Sequence, residues 1–172
     1  MPAATVTLVL FALWVGITDV RTRRIPNWLT GAGAASGLAL AAATGQDSLV
    51  LACQGLVAGI AIGLLLSSLH ALGAGDAKFM AAISAWAGWD RLPAAYLGMI
   101  AGGAAFALVW SARHRVLRAT LLSTSLIIGS AVHSGQRLPP VVGGTEAGKF
   151  PYGVGLGLGA IAWWFWAGGT MP

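Results

Sequence analysis

The chain is a succession of apolar runs, each broken only by a short charged or turn-forming segment, and that pattern constrains the fold more than any other feature. A helix crosses the hydrocarbon core of a bilayer with about 20 apolar residues, within a range of roughly 17–25. Runs of this kind occupy residues 2–18, 28–44, 48–72, 77–89, 92–111 and 152–168, the fourth being the shortest. Lipid offers no hydrogen bonds to the backbone, so such runs fold as helices. The predicted fold is an all-α integral membrane protein, a polytopic bundle of about six transmembrane helices forming a single membrane domain over residues 1–172. Composition agrees: 9% of the residues are charged, against roughly 25% in a soluble domain. The first run lacks a basic segment before it and ends at arginines rather than at a small-residue cleavage site. It reads as a retained helix, not a signal peptide.

Between the fifth and sixth runs lies a mixed stretch, 117–150, containing Gly, Pro, Lys and Glu. Its apolar part, 121–132, is shorter than a span and carries Ser123, Thr124, Ser125 and Ser130. An interfacial or re-entrant piece fits it better than a seventh span. Six spans put Arg21, Arg23, Arg24, Lys78, Arg113, Arg115, Arg118, Arg137 and Lys149 on one side, and of the ten basic residues only Arg91 on the other. Basic loops stay in the cytoplasm, so that side is predicted cytoplasmic and both termini outside. The sequence pI near 10.4 then reports topology, not affinity for nucleic acid. Trp86, Trp89, Trp163, Trp164 and Trp166 fall near the predicted outer interface, as an aromatic belt would. Cys53 is the one cysteine, which excludes an internal disulfide and a zinc site of several cysteines. No spacing makes His70, His114 or His133 metal ligands, and no metal or cofactor is expected.

Two carboxylates stand out. Asp19 ends the first run, in Thr18-Asp19-Val20-Arg21-Thr22-Arg23-Arg24-Ile25-Pro26-Asn27; Asp76 opens the fourth, in Gly73-Ala74-Gly75-Asp76-Ala77-Lys78. Six spans bring both to the cytoplasmic side, and Asp47 and Asp90 to the outer side as wet boundary residues. The fourth run is about 13 residues, or roughly 20 Å of helix against a ~30 Å core. Its Asp76 end is therefore expected at the floor of a cytoplasm-facing cleft, where irregular backbone is tolerated. Gly73 and Gly75 permit a tight turn and close approach. Two such carboxylates suit amide hydrolysis: one, ionised, deprotonates a water while the other, protonated, donates to the carbonyl oxygen. Pro26 turns the chain out of the first helix and Asn27 is a candidate cap for the second. Gly55-x-x-x-Gly59-x-x-x-Gly63 suits close helix packing.

These residues resemble those of the type IV prepilin leader peptidases, the membrane aspartic proteases with a GxGD motif. Three separated stretches carry the likeness in order: Asp19-Val20-Arg21 into Arg24-Ile25-Pro26-Asn27, then Gly73-Ala74-Gly75-Asp76-Ala77-Lys78, then Pro151-Tyr152-Gly153 at the start of the last run. The resemblance implies that Asp19 and Asp76 are catalytic, that Arg21, Pro26, Asn27, Gly73, Gly75, Lys78, Pro151, Tyr152 and Gly153 support the cleft, and that no cofactor is needed. It implies removal of the basic leader of prepilins or pseudopilins at the cytoplasmic face of the inner membrane. The chain is similar to the short form associated with Flp or tight-adherence pili and to archaeal preflagellin peptidases. It lacks the large N-terminal segment with paired CxxC motifs, so N-methylation of the product is not expected. The partners implied are the pilin substrate and membrane lipid, the latter at Arg21, Arg23 and Arg24. Two other classes compete. Acids in membrane helices also serve ion- or proton-coupled transporters, which tend to carry repeats and a midplane site, and neither is evident. A non-catalytic pilus or secretion assembly subunit would not need both Asp19 and Asp76.

Overall fold

A computed structural model describes residues 2–69, 72–113 and 151–172. Five helices run in order: α1 (Pro2–Thr22), α2 (Asn27–Thr44), α3 (Gln46–Ser68), α4 (Ala74–Arg113) and α5 (Tyr152–Trp166). Among the described residues there is no strand. Helix stands at each of the six predicted apolar runs, because α4 covers two of them. Three helices are long and apolar enough to cross a membrane: α1, over Ala3–Thr22, α3 and α4. The stretch 121–132 and the basic residues between 114 and 150 lie outside the described residues.

Helix α4 is broken at Gly88, which adopts φ 68° and ψ 174°. That left-handed conformation suits a residue without Cβ. The sequence suggested a loop at Asp90-Arg91; the turn is made earlier and by one residue. The chain forms two compact units, Met1–Ala104 with Pro151–Pro172, and Ala105–Phe150. Of the second, residues 105–113 are described; they are helical, with the Phe106 and Trp110 rings 6.0 Å apart.

The first arm of α4, residues 74–87, is the centre of the first unit. Every residue from Ala81 to Gly88 is buried. Lipid tails are as apolar as leucine, so helices in a bilayer associate through close packing and hydrogen bonds rather than through hydrophobic transfer. Each neighbour meets the arm in that way. From α1, Phe11 packs on Phe79 with ring centroids 5.5 Å apart. From α2, the Gly33 carbonyl accepts a 2.9 Å bond from Trp86 Nε1. From α3, Gly55, Gly59 and Gly63 face the arm: a methyl at Gly59 would overlap the Ser84 side chain, and one at Gly63 would stand 3.0 Å from the Ala77 oxygen. The predicted glycine ladder is thus where α3 seats on α4. Ser84, fully buried, donates to the Met80 carbonyl at 2.8 Å and pairs with the Tyr96 hydroxyl at 3.0 Å. Helix α5 closes the unit, packing along α1 and meeting the second arm where Gly159 lies over Gly98 and Gly102.

The aromatic belt needs correction. Trp89 and Trp166 are exposed, but Trp86, Trp163 and Trp164 are buried among the helices. Trp86 and Trp164 meet edge to face at 5.9 Å, and Trp164 Nε1 donates to Thr5 Oγ1 at 3.0 Å. Trp86 and Trp164 thus have their indole N–H groups satisfied inside the protein, while the Trp163 N–H is buried without a partner among the described residues.

Candidate functional site

Asp19 lies inside the last turn of α1, which continues to Thr22 rather than stopping at the carboxylate. The helix then ends by a left-handed residue, Arg23 (φ 55°), whose N–H reaches the Asp19 carbonyl at 3.0 Å. Glycine is the usual residue there, and an arginine carries a steric penalty. The turn redirects the chain so that Ile25 is buried and Pro26, extended (φ −63°, ψ 140°), leads into α2.

Asp76 lies in the first turn of α4. The Gly73 carbonyl accepts the first helical bond, from Ala77 N–H at 3.0 Å. The Asp76 side chain folds back over that glycine: Oδ2 would be 3.2 Å from a Cβ placed there. Acidic groups in a first turn are favoured by the helix dipole. Asp76 is part-buried, and it lies within electrostatic reach of the Asp19 carboxylate. The two predicted carboxylates are thus close enough for their charges to interact.

Three contacts assemble that site from distant parts of the sequence. The Gly153 N–H, in the first turn of α5, donates to Asp19 Oδ2 at 2.8 Å. A methyl at Gly153 would stand 3.0 Å from both the Asp19 Cβ and Oδ2, so this helix start must be glycine to approach so closely. Gly75 lies against Ile25, with a methyl there 3.6 Å from the isoleucine Cβ. Lys78 Nζ donates to Asn27 Oδ1 at 2.8 Å. Asn27 therefore does not cap α2, which begins without a side-chain cap; its side chain ties the α1–α2 turn to α4. Pro151 is buried ahead of α5, while Tyr152, Lys78, Arg21 and Gly73 are exposed. Ile25 and Arg23 belong to the site's framework; the sequence offered Ile25 only as part of a motif stretch and Arg23 only as a lipid contact, whereas its part in the turn lies in its backbone angle. Among the described residues no three His, Cys, Asp or Glu side chains gather to hold a metal.

At the opposite ends of their helices the remaining aspartates stand apart. Asp47 is exposed in the first turn of α3. Asp90 is exposed beside Arg91, 3.6 Å away, and Arg91 donates to the Thr170 carbonyl at 2.9 Å.

Residues 6–108 match the type IV leader peptidase family, a stretch that holds both aspartates. The chain is 32% identical over 133 residues to a prepilin leader peptidase/N-methyltransferase of Escherichia coli, covering 73% of this chain and 59% of that protein. It is 35% identical over 118 residues to a protein of the same description from Dickeya chrysanthemi, covering 63% of this chain and 42% of that one. The chain thus spans between two fifths and three fifths of the length of these relatives. No solved structure matches it. Its apolar helices make it a membrane protein, and the extent of the match makes it a member of the type IV leader peptidase family.

Proposed function

We propose that the protein is a membrane-embedded aspartic endopeptidase that removes the basic leader of type IV prepilins or pseudopilins. One observation carries the reading: Asp19 and Asp76 share a site that residues from all three motif stretches build. Among the described residues neither carboxylate is bonded to a basic side chain; Asp19 is held by a backbone N–H and Asp76 lies over a glycine. Like charges held close keep a single proton between two carboxyl groups. The ionised member takes a proton from a water, which adds to the scissile carbonyl carbon. The protonated member gives its proton to the carbonyl oxygen. As the tetrahedral intermediate collapses, one of its hydroxyls returns a proton to the ionised member while the carbonyl re-forms, the protonated member gives its proton to the departing amine, and the shared-proton state returns. The chemistry needs no metal.

The positive-inside bias of the basic residues supports a site on the cytoplasmic side of the inner membrane with both termini outside. A substrate that presents its leader from the cytoplasm meets the two aspartates there. On the motif resemblance, an Flp or tight-adherence pilin is the substrate this reading favours.

The test is cleavage of a prepilin from the same genome, co-expressed with wild type, Asp19→Asn or Asp76→Asn. Wild type is expected to shorten the prepilin, and each variant, inserted at normal levels, to leave it full length. Equal cleavage by all three would remove the carboxylate pair from the mechanism.

A further inference from the structure

A groove of about 380 Å³ runs between α1 and α5. Its α1 wall is a helical stripe of Ala12, Leu13, Gly16, Ile17, Val20 and Arg21, and its α5 wall is Val154, Gly157, Leu158 and Ile161. The floor exists because glycines let the helices close: a methyl at Gly157 would stand 3.2 Å from the Ala12 oxygen, and one at Gly16 would stand 3.5 Å from Val154. The walls rise on half-exposed side chains, Leu13, Ile17, Val20 and Leu158 among them. One lining residue is charged, Arg21, and it closes one end, with Arg23 and Arg24 exposed just beyond.

We propose that this groove seats one acyl chain of an anionic phospholipid, with the headgroup phosphate on Arg21. Shape and charge both select this occupant. From Ala12 to Arg21 the groove is about 14 Å long at the helical rise, an apolar channel that a single unbranched chain can follow to the guanidinium at its end. The cationic end favours a phosphate and repels a basic leader, and guanidinium matches phosphate through paired N–H donors. A second lipid-facing hollow supplies the contrast. Lined by Cys53, Gln54, Val57, Ala58, Ala61 and Trp89, it is larger, about 550 Å³, yet holds no charged residue. It has an apolar wall and nothing to select a headgroup.

The experiment is native mass spectrometry of the protein released from nanodiscs of equal phosphatidylglycerol and phosphatidylcholine. Wild type is expected to retain one phosphatidylglycerol. Leu158→Trp, which fills the groove from an exposed position, is expected to lower that retention about tenfold. Arg21→Gln should abolish the preference for the anionic lipid. Val57→Trp, in the uncharged hollow, should behave as wild type. Wild-type retention in Leu158→Trp, or equal retention of both lipids by wild type, would overturn the proposal. So would a Leu158→Trp variant that keeps its lipid but shows a raised KM for prepilin, since the groove would then belong to the substrate.

Discussion

Four aspartates stand near helix ends in the first unit, and they divide into two pairs that differ in almost everything but residue type. Asp19 and Asp76 lie within electrostatic reach of each other, and the Gly153 N–H bonds to Asp19. Asp47 and Asp90 are exposed, one in a first helical turn and the other beside an arginine on its own helix. Asp47 and Asp76 open helices, where the dipole favours an acid, and exposed Asp90 is supported by water, whereas Asp19 sits in the last turn of α1, where the dipole opposes its anion. What separates the pairs is the element opposite. At the paired site two helix starts, α4 and α5, converge on the end of α1, and no basic side chain is bonded to either carboxylate among the described residues. At the other end each carboxylate answers only to its own helix. Position along a helix therefore marks a candidate; what packs across from it makes a site.

The sharpest way to break this contrast is to neutralise all four in turn. Asp19→Asn and Asp76→Asn keep the shape and remove the proton chemistry, and general acid–base groups contribute roughly 10²–10⁴-fold each. Cleavage by either variant should fall at least 10²-fold. Asp47→Asn and Asp90→Asn should cleave within about twofold of wild type, since a dipole-facing acid or an exposed ion pair contributes about 1 kcal/mol or less, and to stability alone. Prepilin cleavage in membranes with matched protein levels measures all four.

Gly153→Ala comes next. Its methyl would meet Asp19 at 3.0 Å, so either α5 or the carboxylate must shift by a few tenths of an ångström. A 1 Å misplacement of a catalytic group can cost about 10²-fold, and a smaller shift should lower kcat by about tenfold. KM should hold, because the substrate contacts are unchanged. A variant with unaltered kcat would mean that the α5 start is a bystander.

This residue also marks where the sequence stopped being legible. The helices could be read from the apolar runs, and Asp19 and Asp76 from their place at the ends of those runs. The partner of Asp19 could not be read, because the donor is a backbone N–H and carries no residue-type signal. Lys78 could be read as a topogenic charge or a substrate contact; its bond to Asn27 depends on how the Arg23 turn delivers the chain. The tryptophans misled for a related reason. A ring near the end of an apolar run reads as an interface anchor, but the Gly33 carbonyl, which also accepts from Ser36 Oγ, takes the Trp86 indole from α4. Backbone groups decide these positions, and periodicity does not see them.

A smaller effect separates the site from its scaffold. Gly59→Val would place methyls into Ser84 on the buried arm of α4. Overpacking of this kind costs about 1–3 kcal/mol. The variant should lower the unfolding midpoint in detergent while the folded fraction still cleaves. Loss of activity without loss of stability would place the α3 seat inside the site rather than behind it.

The smallest effect concerns the tie between Lys78 and Asn27. Both residues are exposed, so water replaces the bond when it is lost, and a net contribution near 0.5–1 kcal/mol is the upper range for such a pair. If the bond only links the α1–α2 turn to α4, Lys78→Met and Asn27→Ala should each lower cleavage about twofold. The double variant should then be no worse than either single one, since the second change removes nothing that the first had left. Additive losses would mean that Lys78 acts apart from Asn27, on the substrate or on Asp76 two residues before it. The paired site would then have a cation of its own, and its contrast with Asp90 and Arg91 at the other end would narrow to burial and to the Gly153 N–H.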